Sequence, residues 1–454
     1  MLTINFIRNN AELVKQNILN RRFDPAKANV DLLLEIDNQR NAKQQELDAN
    51  RQLRNENANN IKNLQAKPPI ELINKGKELK EQGVVLEAAM KELDEKFQEI
   101  MYWIPNMALT DVPVGNSPDD NIEIKAWSKQ TGYLAEEKLS GSEGSAQHLP
   151  KVGSNNDSDF KRLPHWELGK KLDIIDLENG AKVSGSRFYY LKKEGYLLAY
   201  GIFDLLMRKL LEDGFEPMYV PILVKDFALF GSSQFPADQD QIYKIENSYV
   251  ESGNQLYLVG SSEPSLFSYF ASSIIAKEDL PKKVFTITPC FRSEAGSWGK
   301  DVRGIKRVHQ FDKLEMDVIV EPNLEVAYKM HEYLLSLNEW LLQKLELPYH
   351  VINMCTGDLG YAAAAKKFDV EVWNPSENTF VEIMSDSITT DFQSRRLGIK
   401  CADKDGSKDY VYTLNNTGAT HRLLIGIIEH YQQADGSIKV PEALRSYLNK
   451  ERIG

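Results

Sequence analysis

The sequence predicts an α+β protein, in which strands and amphipathic helices follow an N-terminal arm of two antiparallel helices. Three observations carry this. Leu72, Leu79, Leu86, Leu93 and Ile100 fall seven apart, and Gly76, Gly83, Met90, Phe97 and Ile104 follow each by four, a heptad pattern sustained over several turns. Around a loop rich in glycine and basic residues, two segments alternate apolar and polar residues with the period of a half-buried strand. Between such strands lie helical stretches, one with Leu198, Ile202, Leu205 and Leu206 on one side.

A chain of 454 residues is too long for one typical core and implies two or three domains. Its 42% apolar and 27% charged residues are ordinary for a soluble globular protein. No apolar run approaches the roughly 20 residues that span a bilayer. The segment Met1-Leu2-Thr3-Ile4-Asn5-Phe6 lacks the features of a secretory signal. Cys290, Cys355 and Cys401 make neither a disulfide framework nor a Cys-x-x-Cys pair. A cytoplasmic protein with no membrane partner is therefore expected. The net charge of −11 argues against a non-specific nucleic-acid binder, but not against a local basic stripe.

In chain order, residues ~27–104 read as two long helices. The first has the weaker seam: Leu33, Ile36, Leu47 and Ile61, with Arg40, Lys43 and Arg54 between. Ala66-Lys67-Pro68-Pro69 breaks the helix. So short a turn folds the second helix back antiparallel, giving a slender arm. Such an arm serves either dimerisation or contact with a nucleic acid. For the latter, Arg40, Lys43, Arg51, Arg54, Lys62 and Lys67 form a phosphate-facing stripe with Asp and Glu interleaved. Beyond Ile104-Pro105-Asn106, Ser140-Gly141-Ser142-Glu143-Gly144-Ser145 is flexible by composition, and regular structure returns near His165. The helix with Leu198 ends at Gly214-Phe215-Glu216-Pro217, and Met218-Tyr219-Val220-Pro221 begins an edge strand.

The centre of the chain is the strand–loop–strand segment. In the leading strand Phe285, Ile287, Pro289 and Phe291 alternate with Thr286, Thr288, Cys290, Arg292 and Glu294. In the trailing strand Leu314, Met316, Val318 and Val320 oppose Phe311, Lys313, Glu315 and Asp317. The pair buries an apolar face and presents Arg292, Glu294, Phe311 and Glu315 on an open one. The loop between them, with Gly296, Gly299, Gly304, Lys300, Arg303, Lys306 and Arg307, is expected to be mobile. A guanidinium holds a phosphate or carboxylate bidentately, and an aromatic ring stacks on a purine.

Four further segments have polar groups at defined places. Ser261-Ser262-Glu263 taken alone is a helix cap. Phe368, Val370 and Val372 alternate with Asp369, Glu371 and Trp373 on a strand with one polar face. Glu382-Ile383-Met384-Ser385, taken alone, is a strand-end carboxylate and a turn serine. Tyr412 to Arg422 leads from a strand into a helix carrying Leu423, Leu424, Ile427 and Ile428, with Arg422 at its positive end, where anions are favoured. The P-loop and Rossmann fingerprints are both absent from the sequence. His148, His165, His309, His331, His350, His421 and His430 show no ligand spacing and are expected as surface or capping residues.

The stretch Phe291-Arg292-Ser293-Glu294-Ala295-Gly296-Ser297, with Gly299, Asp301, Arg303-Gly304, Arg307 and then His309-Gln310-Phe311-Asp312-Lys313-Leu314-Glu315, resembles motif 2 of class II aminoacyl-tRNA synthetases, in the form found in bacterial-type seryl-tRNA synthetases. The resemblance extends over nearly the whole chain. It implies an antiparallel-sheet core flanked by helices at 161–454, a linker and start of the core at 111–160, and a tRNA-binding domain with its coiled-coil arm at 1–110. The helix, strand and proline around 198–221 resemble motif 1, which implies a homodimer. The segment ending at Arg422 resembles motif 3, one residue shorter than usual after Asn415. Ser261 stands where the family has threonine.

The implied reaction is activation of L-serine with ATP to seryl-adenylate, then transfer to tRNA-Ser and also tRNA-Sec. Arg292 and Arg422 would be catalytic. Arg292, Ser293, Glu294, Val308, Phe311, Glu382, Ile383, Met384, Ser385 and Arg422 would bind ATP, with Glu382 and Ser385 on its Mg2+. Ser261, Ser262, Glu263, Arg292, Glu315 and Thr417 would bind serine. Two alternatives are a relative that activates an amino acid for a non-tRNA acceptor and a non-catalytic regulatory relative. The arm argues against the first; intact Arg292, Glu294, Glu382 and Arg422 argue against the second.

Overall fold

The structure is a computed structural model and describes residues 1–64, 67–129, 160–246, 255–295 and 303–454, with 132–135 as backbone alone. Ala66, Ser140–Ser145, His148, Gly296, Gly299 and Lys300 lie outside the described residues. The chain divides into two units, Met1–Pro105 and Asn106–Gly454.

The first unit is helical. Short α1 (Ile4–Asn9) and α2 (Ala11–Asn20) precede the long α3 (Val30–Lys62) and α4 (Ile70–Trp103). Asn29 caps α3, its side-chain oxygen accepting the Leu32 N–H at 3.0 Å. Asn57 meets Leu72, Asn50 meets Leu79 and Arg40 meets Asp94, so the two long helices run antiparallel. Leu79, Gly83, Phe97 and Ile100 of the heptad seam are buried against Leu33, Ile36 and Leu47. Two polar rungs complete the seam. Asn50 Nδ2 donates to Leu79 O at 3.1 Å, and Asn57 Nδ2 to Leu72 O at 3.0 Å. Glycine faces each rung at close range: a Cβ at Gly83 would lie 3.0 Å from Asn50 Oδ1, and one at Gly76 3.1 Å from Asn57 Nδ2, so a larger residue there would displace the asparagine side chain. Arg40 belongs to this interface rather than to an outward stripe. Its Nη2 lies 2.6 Å from Asp94 and its guanidinium 4.1 Å from the Phe97 ring.

The second unit is built on a nine-stranded sheet. In chain order its strands are β1 (Ile122–Ser128), β2 (Gly132–Ala135), β3 (Glu216–Pro217), β4 (Lys282–Phe291), β5 (Gln310–Val320), β6 (Tyr349–Asn353), β7 (Lys366–Asn374), β8 (Thr379–Thr390) and β9 (Tyr412–Thr420). In space they run β2-β1-β6-β7-β8-β9-β5-β4-β3, every pair antiparallel except β3–β4. β9, last in sequence, lies between β8 and β5. β3 begins two residues before the expected Met218. Pro217 and Pro221 have no N–H to donate, so the ladder is short. It ends with the Met218 N–H on Phe285 O at 2.8 Å.

α5 (His165–Lys171) and α7 (Glu263–Tyr269) are short, and one face of the sheet is covered by the longer α6 (Lys193–Glu212) and α8 (Leu324–Lys344) and by α9 (Leu423–His430). Leu314, Met316, Val318 and Val320 of β5 join this core with Leu198, Ile202, Leu206, Leu334 and Leu341. Each such side chain contributes roughly 1.5–3 kcal/mol when fully buried. The other face carries the polar side chains. It is not open along its length: Glu315 is 1% and Asp317 0% exposed, and Thr286, Thr288 and Cys290 are buried too.

Candidate active site

β4 and β5 pair from Phe291↔Gln310 to Lys282↔Ile319, so the chain leaves and re-enters the sheet at one end. Beyond Phe291 the Arg292 N–H donates to His309 O at 3.1 Å, and Glu294 turns the chain with a positive φ of 51°. Arg292 Nε donates to Gly260 O at 3.2 Å, and its guanidinium lies 5.4 Å from the Phe311 ring. Arg292, Glu294, Val308 and Phe311 form one side of a cavity. Glu382, Ile383, Met384, Ser385, Thr417 and Arg422 form the other, with Ile305, Lys306, Lys313, Thr420 and His421 completing it.

Glu382 and Ser385 are three apart, and strict alternation would send them to opposite faces. The register resolves this. Glu371 faces Glu382 and Val370 faces Met384, so Ile383 is an extra residue in β8. The bulge re-aims the strand, and both oxygen-bearing side chains line the cavity. A second bulge falls in β9. Leu314 faces Ala419 and Glu315 faces Thr417, leaving Gly418 between. A Cβ on Gly418 would lie 2.8 Å from both Leu206 and Leu314 side chains.

Arg422 precedes α9. Its Nε donates to Lys306 O at 2.9 Å and its Nη1 to Glu382 O at 3.1 Å, with the Glu382 carboxylate 3.6 Å away. Loss of water in the cavity opposes ionisation of Glu382. The cations Arg422, Lys367, Arg292 and Arg307 outweigh it and hold the carboxyl below its usual value.

Under this cavity lies a closed polar nest. Glu263, at the start of α7, accepts from Gln393 Nε2 at 2.6 Å and Asn415 Nδ2 at 2.9 Å. Burial pushes its carboxyl up to about 7, and Glu315 adds to the rise. Lys313 pairs with Glu315 and donates to Ser261 Oγ at 3.2 Å. Burial also raises Glu315, against the pull of Lys313. Asp317, farther along β5, is raised well above its usual value by burial and by Glu315 and Glu263. Among the described residues neither of its carboxyl oxygens has a hydrogen-bond partner. Three carboxyl groups thus surround one lysine, a setting that favours one more cation.

Two expected residues point elsewhere. Ser293 donates to Asp240 O and its N–H to Gln241 O, outside the cavity. Ser262 is fully buried, with its hydroxyl 2.5 Å from that of Thr288. Four of the histidines differ from expectation. His165, His331, His350 and His421 are buried and belong to polar networks. His350 bridges Glu123 at 2.7 Å and Glu371 at 2.8 Å. His421 lines the cavity, its Nδ1 2.5 Å from Tyr189 OH. Sequence reasoning missed Gln393, Asn415, Thr420 and His421, and noted Lys313 and Lys306 without a role. For His421 the one available signal was its place before Arg422.

A family model of the tRNA synthetase class II core domain (G, H, P, S and T) matches residues 243–431, and one of the seryl-tRNA synthetase N-terminal domain matches residues 1–108. The serine–tRNA ligase of Dictyoglomus thermophilum is 38% identical over 455 residues, covering 100% of this chain and 99% of that one. A crystal structure of seryl-tRNA synthetase from Pyrococcus horikoshii complexed with ATP aligns with a TM-score of 0.85 and 36% identity, over 100% of this chain and 99% of that chain. That of the cytoplasmic serine–tRNA ligase from Naegleria fowleri in complex with AMP aligns at 0.77 and 26% identity, over 97% and 95%.

Proposed function

The chain belongs to the seryl-tRNA synthetase family, and from that premise we infer that it activates L-serine with ATP and charges tRNA-Ser, tRNA-Sec included. The observation that carries this is the joining of two sites: a cavity flanked by Arg292, Phe311, Glu382 and Arg422, and beneath it the nest of Glu263 and Glu315. The first suits a nucleotide triphosphate, the second a small amino acid with an ammonium and a hydroxyl.

In the first step the serine carboxylate attacks the α-phosphorus. A new P–O bond forms, the bond to the β-phosphate breaks, and pyrophosphate leaves with its electron pair. Arg292 meets the charge building on the α-phosphate, and Arg422 that on the leaving group. Phe311 stacks on adenine, and Glu294 accepts from its amino group. Ile383, Met384 and Val308 wall the cavity. Glu263 takes the serine ammonium, and Glu315, Thr417 and Ser261 surround the hydroxyl. In the second step the terminal ribose hydroxyl of the tRNA attacks the serine carbonyl and AMP leaves. No covalent enzyme intermediate is needed; catalysis is positioning and charge stabilisation.

Glu382 and Ser385 offer an ionised carboxylate and a hydroxyl on one face, hard oxygen donors that fit a magnesium ion arriving with ATP. When bound, such an ion adds positive charge beside the phosphates. Exposed apolar residues around motif 1, among them Leu211, Tyr219, Leu223 and Phe227, support a homodimer through this region. In the arm, Arg54, Lys62 and Lys67 are exposed and suit tRNA phosphates. The cytoplasm, where three free thiols are stable, is the proposed location. Among the described residues no helix is long and apolar enough to cross a membrane.

The test is serine-dependent exchange of pyrophosphate into ATP, run beside charging of tRNA-Ser. Exchange is expected with serine and charging with tRNA-Ser. A folded protein with no exchange would be the non-catalytic relative; exchange without charging would point to another acceptor.

A further inference from the structure

Beneath the point where the loop returns to the sheet, a ring of contacts closes around a histidine. His165 opens α5 and is fully buried. Its Nε2 lies 3.1 Å from the Ile305 N–H and must accept it, so that nitrogen carries no proton. The proton is on Nδ1, which donates to Glu429 Oε1 at 3.0 Å. Glu429, on α9, also accepts the His165 N–H at 2.9 Å and, through Oε2, the Ser376 N–H at 3.2 Å. Glu377, the next residue, pairs with Lys306, and Lys306 follows Ile305. Each neighbour is thereby fixed by two others.

The Arg422 side chain meets this ring at the Lys306 carbonyl, its Nε donating at 2.9 Å, while its backbone leads into α9, which carries Glu429. Gly304 has a φ of +74°, and a Cβ there would lie 2.1 Å from His165 Nε2. The imidazole and the returning loop are therefore fitted to one another at a spot where only glycine is admitted.

We propose that His165 is a positioning residue: by holding the Ile305–Lys306 backbone it aims Arg422 at the outer phosphates of ATP. This rests on the reading of Arg422 as an ATP contact. A guanidinium acts bidentately only when its plane is set, and a misplacement of about 1 Å can cost a reaction on the order of a hundredfold. The Lys306 carbonyl sets that plane from one side, and His165 sets the carbonyl.

Three variants test this. His165→Phe fills the ring's space and makes neither hydrogen bond, while His165→Gln keeps one donor and one acceptor. His165→Phe is expected to lower serine-dependent pyrophosphate exchange by roughly 10- to 100-fold. The KM for ATP should rise and that for serine stay unchanged. His165→Gln should recover part of the loss. In an Arg422→Ala background, His165→Phe should cost nothing further, because the group it aims is gone. Normal exchange by His165→Phe, an equal rise in both KM values, or losses that multiply in the double variant would each overturn the inference. Should His165→Phe not fold, His165→Gln takes its place in the same comparison. If neither folds, His165 is structural and the inference fails. The unsubstituted protein separates the two readings: no exchange by it defeats the proposed activity, whereas exchange by it and His165→Phe alike defeats only the role of His165.

Discussion

Arg292 reaches the cavity with one nitrogen already committed to Gly260 O, so its remaining donors are held in a fixed direction. Removing a preorganised donor of this kind costs about 10²–10³ in rate. Arg292→Ala is therefore expected to lose that much pyrophosphate exchange while its thermal melt is nearly unchanged. Exchange with other amino acids tests the nest below. Alanine leaves Glu315 and Thr417 without the hydroxyl and should be rejected strongly, while threonine is excluded only by room for a methyl group. Alanine activated as well as serine would remove those two residues from the pocket. Glu263 makes a prediction in pH. Its carboxyl, raised to about 7 by burial, has a value near 4.3 when unfolded. A carboxyl raised on folding contributes stability that is full below the unfolded value and is lost as pH rises through 7. Melting at a series of pH values should thus show Glu263→Gln gaining on the parent between pH 5 and 8. Serine binding needs the ionised form, so the parent's KM for serine should fall over the same range.

At the scale of elements, what could be read in advance was whatever repeats locally. The seam from Leu72 to Ile100 recurs every seven residues, and the alternation in β5 every two, so both helices and the paired strands were legible. Glu382 and Ser385 were readable as a pair only by resemblance, because their spacing contradicts a regular strand and the bulge at Ile383 depends on pairing with β7. The partners of His165 and Arg40 come from other elements, Glu429 being 264 residues away, and nothing near either residue announces them. Arg40 consequently looked like a tRNA contact although Asp94 and Phe97 hold it. The asparagine rungs of the arm were hidden for the same reason. Asn50 Oδ1 is buried without a partner among the described residues, a cost of roughly 1–3 kcal/mol. Asn50→Leu, of similar shape, is predicted to raise the stability of the arm by on the order of 1 kcal/mol. Slower amide exchange in α4 around Leu79 would show it, and faster exchange there would mean the rung is a net gain.

For the whole molecule, the groups assigned to ATP and serine all lie in the second unit, and none in Met1–Pro105. Deleting residues ~27–104 and closing the gap should leave serine-dependent exchange largely intact while charging of tRNA-Ser collapses, because the arm raises the local concentration of the acceptor end without entering the first step. Added salt should slow charging more than exchange. Loss of both activities in a folded variant would make the arm structural, and loss of neither would assign it another partner. The order of strands has one more consequence. Because β9 comes last in sequence yet sits between β8 and β5, a chain on the ribosome holds two part-sheets with facing unpaired edges until residues 412–420 emerge. Thr417 arrives with that strand and Arg422 just behind it. A prematurely terminated chain accordingly has an N-terminal arm but no seam joining its sheet, and so, on the role proposed for the arm, would hold a tRNA without being able to charge it.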